Sequence, residues 1–357
     1  MPYTSIVYFL SLNSLKFIRI KGFHTFYILI YHKTFYSMIA KNRVKWKLSS
    51  TTNYRISNGN IDVQKEVIVN KDKILIIGKN GFIGSSLAEW LRKNEYVVTS
   101  VSGRKEEWRT LDLSEYTTII NCSGIAHRKE KKKNRDLYYR VNRDQAVESA
   151  LIAKASGVVQ YIYISSMNVY GNTGKAVDSN TIVNPDSIYG ITKLAGEIEL
   201  KKLEDTNFKI AIIRPPVVYG YGCKGNVRIL VKAAKYLWVF PYYPNKRSMV
   251  DIINLCELIR LIIDKKERGI YHPQNKEYIS TWKLLHLTAT FHKKKLYPIK
   301  LFNPIITFLI PKVGFIRKIF GDDCYSKDLS NYENFDYCIR GYNESIKEMV
   351  EKDMAAK

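Results

Sequence analysis

Lys73-Ile74-Leu75-Ile76-Ile77 runs straight into Gly78-Lys79-Asn80-Gly81-Phe82-Ile83-Gly84, and residues 85–93 follow with apolar side chains at helical spacing. A run of four Ile and Leu residues behind Lys73 is too short for a helix and suits a strand covered on both faces of a parallel sheet. Glycines between strand and helix leave backbone amides bare, so a pyrophosphate can approach the helix N-terminus. The spacing is Gly-x-x-Gly-x-x-Gly rather than Gly-x-Gly-x-x-Gly, and glycine-rich turns are common, so the turn alone is a weak signal. Outward from it the alternation continues. Strands are expected at 96–101, 117–121, 159–164 and 209–213, and helices at 140–156 and 189–203. Strand and helix in turn predict an α/β fold with a doubly wound parallel sheet.

Downstream, Tyr161-Ile162-Tyr163-Ile164 ends in Ser165-Ser166, and Tyr189-Gly190-Ile191-Thr192-Lys193 follows after a loop. Tyr and Lys four apart share one helix face. An ammonium beside a phenol favours the phenolate and lowers its pKa from the usual ~10. A Ser hydroxyl at a strand end can then share a substrate oxygen with that phenol. Ser166, Tyr189 and Lys193 are thus suited to moving a proton on and off an alcohol oxygen while hydride goes to a nicotinamide. Packed tyrosines and solvated lysines are common singly. The order of glycine turn, Ser, Tyr and Lys carries the argument.

With those residues in place the chain resembles the extended short-chain dehydrogenase/reductases, which include nucleotide-sugar epimerases, dehydratases and 4-keto-reductases. The match rests on Gly78, Gly81, Gly84, the Asn121-Cys122-Ser123-Gly124 turn, Asn142, Ser165-Ser166, Val169-Tyr170-Gly171 and Tyr189 with Lys193. The segment from Arg214-Pro215-Pro216 to Lys224-Gly225-Asn226, with Lys246-Arg247-Ser248, is similar to the UDP-glucose 4-epimerase-like branch serving O-antigen and capsule synthesis. The resemblance runs from about residue 71 to the C-terminus. It implies a Rossmann domain binding NAD or NADP over 71–215 and a smaller, mainly substrate-binding region over 216–357. Gly78, Gly81, Phe82, Ile83 and Gly84 would cradle the pyrophosphate. Asp112 and Leu113 would lie at the adenine, Ser123 and Gly124 at the nicotinamide half, and Asn142 near Lys193. Tyr189 and Lys193 would also touch the cofactor. Lys224, Asn226 and Arg247 would hold the diphosphate of a UDP-sugar, alongside Ser166 and Tyr189 at the sugar. A homodimer through two flanking helices is a further implication.

Two departures matter. The second strand ends Val101-Ser102-Gly103-Arg104-Lys105, without the carboxylate that accepts from the ribose 2′-hydroxyl in NAD enzymes. Ser102 and Arg104 lean to the 2′-phosphate of NADP, whereas an epimerase leans to NAD. Met167-Asn168 after Ser166 replaces small residues and offers no acid pair for a dehydratase. The reading is a UDP-hexose or UDP-N-acetylhexosamine 4-epimerase working through a 4-keto sugar. The alternative is an NADPH-dependent UDP-4-keto-6-deoxy-sugar 4-reductase. A non-catalytic Rossmann cofactor-binding protein, which usually loses Tyr or Lys, is the distant third.

The 357 residues, 46% of them apolar, suffice for a large core. A net charge of +24 invites nucleic acid or anionic membranes as partners. No basic run is interleaved with aromatics as a stacking platform would be, so nucleic acid is not expected. Five scattered cysteines fit reduced thiols in a cytoplasmic protein, and neither they nor the six histidines have ligand spacing, so no metal is expected. His127 lies on the expected substrate side and reads as a loop residue, and 129–135 is a solvated charge run. Residues 1–70 read as an extension, disordered or translated from a start placed too early, in preference to a membrane-surface anchor, and neither apolar run there approaches a membrane span. Residues 293–320 mix lysines with apolar residues; packing over the substrate site is the expectation, and membrane-surface contact the less favoured one.

Overall fold

A computed structural model describes strand backbone at 8–12, 15–19, 27–29, 55–57 and 60–62, and then residues 72–125, 134–333 and 335–355. His127 and most of the run 129–135 lie outside the described residues. The chain divides into two compact units, 1–70 and 71–357. In the first, Leu15–Arg19 pairs antiparallel with Tyr8–Leu12 and with Tyr27–Leu29, and Arg55–Ser57 pairs with Asn60–Asp62.

The second unit is built on a sheet whose strands are β1 (Lys73–Ile77), β2 (Val97–Val101), β3 (Thr118–Asn121), β4 (Gln160–Ile164) and β5 (Lys209–Ile213), with an edge strand Gly269–Tyr271. All six are parallel, in the order edge strand, β5, β4, β3, β1, β2. The chain leaves β1 for β2 on one side and returns to β3 on the other. The crevice beyond the carboxyl ends of β1 and β3 is therefore the switch point where such sheets take their ligands. These strands agree with the expected ones within a residue.

Alternation along β1 explains its burial. Ile74 and Ile76 face one core with Leu87 and Leu91 of α1 (Phe82–Lys93), together with Leu255, Leu258 and Ile262 of the helix Ile252–Asp264. Leu75 and Ile77 face the other core, with Ala146 and Ala150 of α3 (Gln145–Ala155) and Leu200 of α4 (Ile188–Lys201). Before α3 come α2 (Arg135–Tyr139) and a π-helical turn, Arg140–Asp144. Between β2 and β3 the chain makes only two 3-10 turns, Glu107–Thr110 and Leu113–Glu115.

After β5, β6 (Val217–Tyr219) pairs with β8 (Met249–Asp251), and β7 (Val239–Pro241) pairs with the later strand Tyr297–Ile299. The edge strand Gly269–Tyr271 is β9 in chain order, and Tyr297–Ile299 is β10. Helix α5 (Asn226–Ala234) lies between β6 and β7, and Ile252–Asp264 is α6. Then come α7 (Thr281–Phe291), α8 (Asn303–Leu309), α9 (Gly314–Phe320) and α10 (Tyr342–Ala355). Val227, Val231, Leu284, Ile346 and Val350 make a separate small core there. Asp251 caps α6, accepting from the Ile253 amide at 2.8 Å and pairing with Arg340.

Within residues 293–320, expected to pack over the substrate site, Leu301, Phe302, Ile305, Phe308 and Phe315 face solvent, while Leu296, Ile306 and Phe320 are buried. Among the described residues no helix is long and apolar enough to cross a membrane, and no group of His, Cys, Asp and Glu could hold a metal.

Candidate active site

The glycine turn seats β1 against α1. Gly78 holds φ +123°, a conformation that side chains resist, and its amide and that of Lys79 donate to Val101 O. A Cβ on Gly84 would stand 2.3 Å from Gly78 O, so the first turn of α1 can close over the strand end only with glycine there. Gly81 caps α1 without a side-chain hydrogen bond, and no acid stands in the first turn, which Phe82 and Ile83 open. The result is a bare, positive helix end at the switch point, the seat a dinucleotide pyrophosphate needs. The residues present fit that cofactor.

At the end of β2 the fold supplies something the sequence order hid. Glu107, six residues past Val101, turns back so that its carboxylate accepts from the Ser102 amide at 2.9 Å and from Lys79 Nζ at 2.8 Å. Those two hydrogen bonds, the Lys79 one first, hold its pKa below the usual carboxylate range. A carboxylate paired with Lys79 thus lies near the end of β2, although none stands within 101–105. Ser102 is buried and Arg104 exposed. Asp112 caps the second 3-10 turn, accepting from the Ser114 amide and hydroxyl, while Leu113 is buried beside it.

Beyond β3, Ser123 is buried with its amide on Asn121 Oδ1, and Gly124 lies against the Lys193 amine. Asn142 sits in the π-helical turn, a distortion that often marks functional sites. Its carboxamide accepts from the Ile125 amide and donates to Thr192 of α4, both at 3.0 Å. Asn142 therefore couples the loop after β3 to the helix that carries Lys193.

Ser166 follows β4 and caps a short 3-10 turn, accepting from the Asn168 amide. Helix α4 starts behind a Ser187 cap and presents Tyr189, Lys193 and Glu197 at four-residue intervals. The Ser166 hydroxyl faces Tyr189 closely enough to lower that phenol's pKa. Lys193 is buried, and its Nζ donates to Ile164 O at 2.7 Å and Ser123 O at 3.3 Å, with the Tyr163 ring 4.5 Å beneath. Burial pushes its pKa down to about 7.

These contacts correct one expectation. The Lys193 ammonium was expected to lower the Tyr189 pKa, yet it is directed at two carbonyls. Packing around the Tyr189 hydroxyl pushes that phenol up to about 12, with the Ser166 hydrogen bond opposing the rise.

Sequence reasoning missed the group beneath. Glu197 and Arg214 form a buried ion pair at 2.6 Å, and Ser165 donates to the same carboxylate. Arg214 also donates to Tyr170 Oη at 2.8 Å, and that hydroxyl bonds His272 Nε2 at 2.8 Å. Burial first, and Arg214 second, push the His272 pKa down to about 3. The signal was present: Glu197 continues the Tyr189, Lys193 spacing, and Arg214 directly follows β5.

The substrate candidates lie apart in character. Lys224 and Asn226 are exposed at the start of α5, whose cap Gly225 makes no side-chain hydrogen bond. Arg247 is committed to its own region, donating to Lys318 O at 3.0 Å and pairing with Asp323 at 3.4 Å.

Comparison with known proteins follows this geometry. The NAD dependent epimerase/dehydratase family matches residues 74–271. UDP-glucose 4-epimerase of Vibrio cholerae is 30% identical over 274 residues, 70% of this chain and 81% of that protein. The N-acetyl-alpha-D-glucosaminyl-diphospho-ditrans,octacis-undecaprenol 4-epimerase of Escherichia coli O157:H7 is 30% identical over 53% of this chain and 62% of its own length. A crystal structure of UDP-glucuronic acid 4-epimerase from Bacillus cereus with NAD superposes with a TM-score of 0.62 at 17% identity, covering 80% of this chain and 99% of that one. Fold, glycine turn and extent of match agree: the chain belongs to the NAD-dependent epimerase/dehydratase family of nucleotide-sugar enzymes.

Proposed function

We propose that the protein is a UDP-hexose or UDP-N-acetylhexosamine 4-epimerase that keeps NAD through its cycle. The observation that carries the reading is Ser166 after β4 together with Tyr189 and the buried Lys193 one turn apart on α4, with Lys193 Nζ donating to Ile164 O and Ser123 O. Glu107 supports NAD over NADP, because its carboxylate, although paired with Lys79, lies near the end of β2 where it can accept from a ribose 2′-hydroxyl. When bound, the oxidised nicotinamide supplies the hydride acceptor and a positive charge. In this reading Tyr189 takes the C4 hydroxyl proton and later returns it, and Ser166 hydrogen-bonds the same oxygen. Lys193 holds the cofactor ribose, and Ser123 and Gly124 line the nicotinamide half. Lys224, Asn226 and Arg247 take the diphosphate, which requires Arg247 to share itself with Asp323.

The rival reading, an NADPH-dependent 4-keto-reductase, draws on Ser102 and the exposed Arg104 at the same end of β2. A homodimer is supported by exposed apolar residues on neighbouring helices, Leu151 and Ile152 of α3 with Ile191 and Ile198 of α4. A cytoplasmic location fits five unpaired cysteines.

The test is chromatography of nucleotide released from the denatured protein, followed by assay on UDP-glucose and UDP-N-acetylglucosamine without added cofactor. Stoichiometric NAD with interconversion of either C4 epimer pair is the expected result. An empty protein that prefers NADPH and reduces a 4-keto sugar would replace the epimerase reading.

A further inference from the structure

The net charge of +24 is not spread evenly. Residues 206–250 hold eight Lys and Arg and no Asp or Glu, and residues 278–321 hold another eight, again with no acid. The fold brings parts of both segments to one side. β7 pairs with β10, Asn303 of α8 donates to Tyr242 O at 2.9 Å, Tyr243 bonds Thr307 at 3.2 Å, and Phe240 stacks on Phe320 of α9.

That side exposes large apolar residues. Phe302 at the cap of α8 and Ile305 and Phe308 within it recur every third residue, while Ile306 faces inward. Leu301 is 80% exposed, Phe315 of α9 70% and Trp238 beside β7 67%. Lysines stand over the aromatic rings: Lys312 over Phe308 at 3.4 Å, and Lys294 over Trp238 and Lys300 over Tyr242, each at 5.3 Å. Lys295 and Lys318 are exposed nearby in sequence.

We propose that this face, formed by β7, β10, α8 and α9, docks on an anionic lipid bilayer surface. Apolar side chains with aromatic members enter the headgroup boundary, and lysines around them meet anionic headgroups. Charge complementarity selects this occupant. A second copy of the chain, docked isologously, would set the basic face against itself with only Asp322 and Asp323 beside α9 to answer it, and Asp323 is already paired with Arg247. The aliphatic members Leu301 and Ile305 offer nothing to a stacking base. The inference goes beyond the proposed reaction and does not depend on it.

The test is flotation of the full-length protein with phosphatidylcholine vesicles, with and without phosphatidylglycerol. The native chain should float with the anionic vesicles and about tenfold less with neutral ones at about 0.15 M salt. Leu301→Ser/Phe308→Ser/Phe315→Ser, which leaves every charge in place, should lose about tenfold of the anionic binding. Lys300→Gln/Lys312→Gln/Lys318→Gln should fall towards the neutral-vesicle level. Equal flotation of the serine variant would reduce the binding to general attraction by a basic chain and overturn the proposal. So would no flotation at all, or a self-association that the serine variant abolishes without vesicles, or displacement of the vesicles by an RNA homopolymer from the serine variant and native chain alike. Should the serine variant fail to fold, quenching of the native chain's fluorescence by brominated lipid decides the matter. It should be present in the native chain and weaker in Trp238→Phe; quenching unchanged by that substitution overturns the proposal.

Discussion

Two regions of this protein treat positive charge in opposite ways. At the carboxyl ends of β3 to β5, Lys193 and Arg214 are buried and each has dedicated partners: two carbonyls and a ring face for one, Glu197 and Tyr170 for the other. Around α8 and α9, lysines stand in solvent over exposed aromatic rings, with no acid in the segment. A buried cation without its partner is costly, so position and spacing in the first region are fixed tightly. An exposed cation costs almost nothing, so in the second only the composition of the face matters. In the proposed reading the first region carries chemistry and the second carries contact.

The sharpest break of that contrast is at Tyr189. Tyr189→Phe should lower kcat by about 10²–10⁴-fold, the usual worth of a positioned proton carrier, while released NAD stays stoichiometric. Turnover near the parent value would remove Tyr189 from the chemistry. Next comes the pair beneath it. Arg214→Met leaves Glu197 buried without a counter-ion and should destabilise the fold by about 3–5 kcal/mol in urea unfolding. The double variant with Glu197→Gln should recover part of that loss; a loss that adds would show the two side chains to be uncoupled.

How much of this was legible follows the same division. The glycine turn, β1 and the Tyr189, Lys193 spacing could be read because local rules of strand, turn and helix face fix them. Glu107 could not, because only the tight 3-10 turn after β2 folds its carboxylate back to Ser102. The Tyr189 pKa was misjudged because spacing puts Lys193 on the same face without saying where its amine points. Glu197 was visible as the third member of the α4 stripe, but its partner came from β5, a long-range contact. The apolar run 301–310 was legible as apolar among lysines, while its exposure depended on what the fold left beside it.

A smaller effect tests the buried side by pH. His272 lies under Arg214 and Tyr325, and its pKa falls from ~6.5 to about 3. Its folded pKa is lowered, so the unfolded chain binds the extra proton. The stability of the neutral imidazole is complete above about pH 6.5 and is lost as pH falls through about 3. His272→Gln should flatten the parent's loss of urea stability in that window, although it weakens the Tyr170 hydrogen bond at every pH. An unchanged slope between the two chains would assign acid sensitivity to the carboxylates alone.

The smallest effect belongs to the exposed side. Lys312 touches Phe308 and is exposed, so Lys312→Gln removes a cation–π contact that water largely replaces. Its effect on unfolding free energy should stay within about 0.5 kcal/mol. The same change at a buried cation, Lys193→Gln, would strand the carbonyls of Ser123 and Ile164 and disturb the approach of α4 to β4. If Lys312→Gln proved as destabilising as Lys193→Gln, the face around α8 would be a packed part of the fold rather than a surface. The contrast drawn between the two regions would then fail on the side where its expected signal is nearly zero, which makes this quiet variant a strict test of the division.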